Sequence, residues 1–121
     1  MSTDLQLDLK ALVAAIEGRD HGYQLDLYAD DAEVLIFDAD TTLEPERLTG
    51  TAAISRWFDR PSQRSSIHRV KEAGVTGNLL SWTDHCRTYE GLNIVSESAA
   101  ELRGGRITQQ SVTVVWEDLA D

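Results

Sequence analysis

Apolar residues first recur at helical spacing. Leu5, Leu9, Leu12, Val13 and Ile16 fall on one face of a 3.6-residue period, and Ser2, Thr3 and Asp4 offer oxygens to cap that helix. Gly18 suits its C-terminus. Asp20 can cap a second helix through Tyr23, Leu25, Leu27 and Tyr28, after which Ala29, Asp30 and Asp31 turn the chain. From Ala32 to Asp38 the period drops to two, the mark of a strand. Val34, Ile36 and Asp38 share one face and Glu33, Leu35 and Phe37 the other. Apolar residues on both faces predict that both are partly covered. Asp40 to Arg47, with Pro45, reads as a polar loop. Thr49 or Thr51 can cap a third helix carrying Ala52, Ala53, Ile54, Trp57 and Phe58. Arg60-Pro61-Ser62 ends it, since proline disfavours a helical residue before it.

Beyond Ser65 the pattern is strand-like. It predicts strands at Ser66–Thr76, Leu79–Tyr89, Ile94–Arg103 and Arg106–Glu117, punctuated by Gly77-Asn78, Glu90-Gly91 and Gly104-Gly105 as hairpin turns. Helices followed by long antiparallel strands make an α+β architecture. In the last strand Thr108, Gln110, Val112, Val114 and Trp116 form the more apolar face, which is the expected inner one.

Composition narrows the function. The 121 residues fit a single domain, 1–121, with 41% apolar and 26% charged positions, ordinary for a globular protein. A net charge of −10 disfavours nucleic acid and anionic membrane surfaces, both of which need clustered Lys and Arg. The lone Cys86 cannot form an internal disulfide, and no Cys/His cluster has zinc spacing, so neither metal nor cofactor is expected. No apolar run approaches membrane-spanning length, and MSTDLQLDLK lacks the pattern of a signal peptide. A cytoplasmic location is the default expectation.

Two stretches, LYADDAEV (Leu27 to Val34) and LTGTAAISRWF (Leu48 to Phe58), resemble the nuclear transport factor 2-like superfamily, which includes the SnoaL-like cyclases and ketosteroid isomerases. With the following strands the resemblance covers nearly the whole chain. It implies three N-terminal helices packed in a strongly curved, mostly antiparallel sheet, a cone-shaped barrel with an internal cavity. Aligning the glycine turns with the isomerases turns Thr83, His85 and Arg87 inward and Trp82, Asp84 and Cys86 outward; Ser96, Ser98 and Ala100 point inward on the next strand. A one-residue slip would reverse every such assignment. The isomerase machinery itself is missing. Its general-base aspartate falls on Ile36, its oxyanion-hole tyrosine on Leu12 and its protonated aspartate near Ser98. Trp57 sits where that family has a cavity-lining aromatic.

The replacement chemistry rests on His68 and His85, helped by Asp38 or Glu17, because histidine titrates near neutrality and can give or take a proton. Scytalone dehydratase, similar in fold, uses an inward pair of histidines with an acid from the end of the first helix; by strand position these would be His68, His85 and Glu17 here. The catalytic candidates are therefore His68, His85 and Asp38, and the substrate-binding candidates Trp57, Arg87, Ser98, Gln110 and Glu17. Each has a plainer reading. A strand histidine is more often a hydrogen-bonded structural residue, Glu17 can be solvated at its helix end, Asp38 can begin a polar loop, and Arg87 can pair with a wall carboxylate. His21 is expected at the solvent. Cys86 has no base on its own face, so a thiol nucleophile is not expected.

Two function classes follow. One is a cofactor-free acid–base enzyme, a dehydratase, isomerase or cyclase acting next to a carbonyl on a small organic molecule. The other is a non-catalytic module binding a ligand or protein partner. In the resembled family the outer sheet face commonly forms a dimer, and an outward Trp82, Cys86, Thr113 and Val115 would suit a homodimer through that face.

Overall fold

The computed structural model describes residues 8–38, 44–60, 66–88, 91 and 93–117. Helix α1 spans Leu9–Glu17. Asp8 is its cap, its Oδ1 accepting from the Ala11 N–H at 3.1 Å, while the expected caps Ser2, Thr3 and Asp4, with Leu5, lie outside the described residues. Gly18 closes the helix as expected. Helix α2, His21–Asp26, starts at Asp20, whose carboxylate accepts the Tyr23 N–H at 3.1 Å, and buries none of its residues.

Strand β1 runs Tyr28–Asp38, so Tyr28 opens a strand rather than closing a helix. The Ile107 N–H donates to Leu27 O at 2.7 Å and Tyr28 pairs with Ile107, which holds the chain extended where a turn is expected from Ala29-Asp30-Asp31. The excess length is absorbed as a register shift between Tyr28 and Glu33. The expected loop also contains a strand. Residues Glu46–Thr49 form β2, antiparallel to β1. Its single buried residue, Leu48, leaves no periodicity to read; the open edge of β1 makes it a strand.

Helix α3, Thr51–Phe58, is entered through Gly50 without a side-chain cap, so neither Thr49 nor Thr51 has the expected role. Gly50 holds φ 86° and ψ 160°, a conformation that essentially only glycine tolerates, and its N–H donates to Ala32 O at 2.9 Å. The sharp entry thus fixes α3 against β1. At the other end Arg60 Nη1 donates to Glu46 Oε1 at 2.9 Å, tying the helix exit to β2. Pro61 and Ser62 lie outside the described residues.

Four long strands complete the fold: β3 (Ser66–Thr76), β4 (Leu79–Thr88), β5 (Asn93–Arg103) and β6 (Arg106–Glu117). Their order with β1 and β2 is β2-β1-β6-β5-β4-β3, antiparallel except for the β1–β6 pair. This is α+β with a mixed sheet. The sheet is not closed: β2 and β3 are its edges, so the expected barrel is open. Glu17 blunts the β3 edge by accepting the Val70 N–H at 2.9 Å. Ile54, Val34, Ile107 and Leu80 are the most deeply buried large side chains, and they join Leu12, Ile16, Trp57 and Phe58 of the helices in one apolar cluster. Among the described residues no helix is long and apolar enough to cross a membrane.

Candidate active site

Residues directly opposite in an antiparallel pair share a face of the sheet. Trp82 lies opposite Ser98, Asp84 opposite Ser96, Cys86 opposite Ile94, and His68 opposite Cys86. Ser98 and Ile94 are buried, and so are Trp82, Asp84, Cys86 and His68. The β4 assignment is therefore the reverse of the expected one. Trp82, Asp84 and Cys86 point inward, whereas Thr83, His85 and Arg87 take the other face, with His85 half-buried and Arg87 exposed. The β4–β5 register decides this, and a pairing one residue away would have turned the other set inward.

The inversion builds a cluster. His68 Nδ1 lies 2.8 Å from Asp84 Oδ2, and Cys86 Sγ lies 3.1 Å from that nitrogen and 3.3 Å from the same oxygen. All three are more than nine-tenths buried. An ionised carboxylate can only accept, so the His68 Nδ1–H and the Cys86 S–H both donate to Asp84 Oδ2. Asp84 Oδ1 is buried and has no hydrogen-bond partner among the described residues. Burial first, and then the charge of Asp84 beside it, push the Cys86 thiol far above its usual value. Cys86 is thus a proton-bearing donor and no thiolate nucleophile.

A second polar chain crosses the interior. The Tyr28 hydroxyl donates a short hydrogen bond to Gln110 Oε1, and Gln110 Nε2 donates to Ser98 Oγ at 3.2 Å. Gln110 is placed by β6, Ser98 by β5 and Tyr28 by the start of β1. Burial raises the Tyr28 phenol well above its usual value. The folded state therefore keeps a proton that the unfolded chain releases above about pH 10, so stability from this group is complete below that pH and falls as pH rises, by up to about 1.4 kcal/mol per unit. Urea midpoints at about pH 9 and about pH 11, either side of the ordinary tyrosine value, should drop further for the wild type than for Tyr28→Phe. Equal drops would show that Tyr28 titrates alike in both states.

The two chains meet at a cavity of about 40 Å³ lined by Tyr28, Trp57, His68, Asp84, Ser98 and Gln110. Helix α2 contributes His21 and Gln24 to its wall, and the His21 ring stacks on Phe58 with centroids 5.3 Å apart. His21 is half-buried there, not solvated as expected. Of the candidates from sequence, His68, Trp57, Ser98 and Gln110 come together. His85 and Arg87 do not, because they face away. Glu17 is engaged with the β3 backbone. Asp38 accepts the Trp116 Nε1–H at 3.1 and 3.2 Å. Neither acid lines the cavity. Asp84, Cys86 and Tyr28 were missed. One signal could have found the first two: Trp82, Asp84 and Cys86 are the more apolar alternate set on β4, the criterion that chose the correct face of β6.

The chain has the fold of the nuclear transport factor 2-like proteins. It is similar to a protein of that class of unknown function from Mesorhizobium loti, at 16% identity and TM-score 0.72 over 88% of this chain and 86% of the other. It is similar to a candidate ketosteroid isomerase from Kribbella flavida, at 17% identity and TM-score 0.69 over 93% and 76%. A computationally designed 17-OHP binder matches at 14% identity and TM-score 0.65 over 90% and 93%. No protein-family model and no curated protein matches the chain.

Proposed function

We propose that this protein binds a small organic molecule between its helices and the inner face of the sheet and acts on it as an acid–base enzyme without a cofactor. The reaction class is a dehydration, isomerisation or cyclisation next to a carbonyl. The buried His68–Asp84 hydrogen bond supports this reading most directly. A carboxylate on Nδ1 fixes the tautomer and orientation of the imidazole and assigns proton exchange with a ligand to Nε2. His68 is then the base that removes a proton beside the carbonyl, and Asp84 its positioning residue. Ser98 accepts from Gln110 and keeps its own O–H proton to give to the substrate oxygen. Trp57 supplies an apolar wall. A cavity of about 40 Å³ holds water rather than an organic substrate. Binding therefore requires the wall to yield, and α2, which buries none of its residues, is the element that moves.

The test is a screen of small carbonyl and hydroxylated aromatic compounds against chelator-treated protein, followed by solvent deuterium exchange or loss of water. Turnover that disappears in a His68→Asn variant supports the enzyme. Ligand binding without turnover, equal in both proteins, would sink it.

One observation favours the non-catalytic alternative. A larger concavity, about 570 Å³, lies away from the His68 cluster and is lined largely by outer-face residues including Leu35, Leu79, Ala99 and Ser111. Its size suits a ligand or a partner segment. The same face carries the proposed homodimer. Trp82 and Cys86 no longer contribute, being inward, but Phe37, Leu79 and Val115 are 41%, 55% and 49% exposed. Light scattering should report a species of twice 13.4 kDa, shifted towards the monomer by Val115→Lys. A wild-type mass of a single chain rejects the dimer.

A further inference from the structure

We propose that His68, Asp84 and Cys86 form a binding site for one divalent d-block cation of the zinc class. They offer an imidazole nitrogen, a carboxylate oxygen and a sulfur, all within 4.8 Å of one another and all buried. A tetrahedral ion with ordinary zinc bond lengths holds such donors roughly 3.3–3.6 Å apart. The observed separations of 2.8, 3.1 and 3.3 Å need to open by only a few tenths of an ångström. Side-chain torsions alone provide that movement.

Asp84 Oδ1 is an independent sign. A buried carboxylate oxygen without a hydrogen-bond partner is costly; the Asp84 separations above are to Oδ2, and a cation held by either oxygen of this carboxylate lies close enough to Oδ1 to offset that cost. Charge balances as well, since a carboxylate and a thiolate together neutralise a divalent ion, and a coordinated thiol gives up its proton. The mixed nitrogen, oxygen and sulfur set selects zinc or cobalt over magnesium and calcium, which prefer oxygen alone. Three protein ligands leave a fourth position. His68 and Asp84 both line the cavity of about 40 Å³, which has room for a water to fill it. The three residues come from adjacent strands, with β3 supplying one and β4 two at alternate positions. No short sequence spacing therefore announces them.

This inference does not rest on the enzymatic reading. It concerns a loaded state in which the ion takes the donors that otherwise hold the His68 ring, whereas turnover is measured on metal-free protein. The two can fail separately.

The experiment titrates the chelator-treated full chain with cobalt(II) chloride alone and follows the absorption spectrum. The expected result is one equivalent bound per chain, with intense four-coordinate ligand-field bands and a thiolate-to-cobalt charge-transfer band. Zinc should displace the cobalt and magnesium should not. Cys86 is the chain's one thiol, so a charge-transfer band in the wild type can come from no other residue. Cys86→Ser should abolish that band. Asp84→Asn should weaken binding more than about tenfold, the loss already typical of outer-shell partners. Absence of the band from the wild type, or only the pale spectrum of octahedral cobalt on surface carboxylates, overturns the site. So does a band that survives in a folded Cys86→Ser variant.

Discussion

A His68→Asn protein is expected to keep its fold and its affinity for the carbonyl compounds that the wild type turns over, and to turn them over about 10²–10⁴-fold more slowly, the usual contribution of a positioned acid or base. The asparagine amide nitrogen stands near the position of Nδ1 and can still donate to Asp84 Oδ2, which accepts at 2.8 Å in the wild type. The buried carboxylate is therefore not left without that donor, a loss that would by itself cost about 1–3 kcal/mol. What the substitution removes is the ring and its second nitrogen. A loss confined to turnover then reports proton transfer. A loss confined to affinity, with turnover intact, makes His68 a wall residue. Single-turnover measurements separate the two, because they do not depend on product release.

The largest expected effect on stability is that of Ile54→Ala. Ile54 is 0% exposed and sits on the inner side of α3, in the apolar cluster that joins the helices to the sheet. Truncating it removes buried methyl and methylene groups and leaves a cavity that close packing fills only in part, at a cost of about 2–5 kcal/mol. Against a total of about 5–15 kcal/mol for a domain of this kind, that is a large fraction. Urea unfolding should show a lower midpoint with an unchanged slope. Ile67→Ala is the matched control. Ile67 is 55% exposed, so its midpoint should move by no more than about 0.5 kcal/mol. If the two variants unfold together, α3 does not pack as described.

The structure also changes which residues the chemistry rests on. A pair of inward histidines is replaced by one histidine with an aspartate and a cysteine, while Glu17 and Asp38 have other partners. Both acids bind backbone or indole N–H groups at the sheet, a structural use of the kind that a residue list cannot tell from catalysis. Tyr28 shows the same difficulty in reverse. It reads as a core aromatic and is one, yet its hydroxyl opens the chain through Gln110 to Ser98.

The sequence by itself determined the class of the fold, the helix ends at Asp20 and Gly18, the four long strands, the turns at Gly77-Asn78 and Gly104-Gly105 (Glu90, of the third expected turn, lies outside the described residues), and the inner face of β6. Each of these depends on local chemistry, namely a capping oxygen, a glycine at a turn, or a run of alternating side chains long enough to show its period. Only the tertiary structure decided the rest. Tyr28 and Glu46–Thr49 became strand because a neighbouring edge had backbone groups to pair. The facing of β4 was settled by its register on β3 and β5, where a shift of one residue exchanges His85 and Arg87 for Asp84 and Cys86. That exchange has one faint local signature, the more apolar character of the Trp82, Asp84 and Cys86 set, since both sets alternate equally well. It nonetheless decides which groups meet His68, and with them the chemistry that this protein can perform.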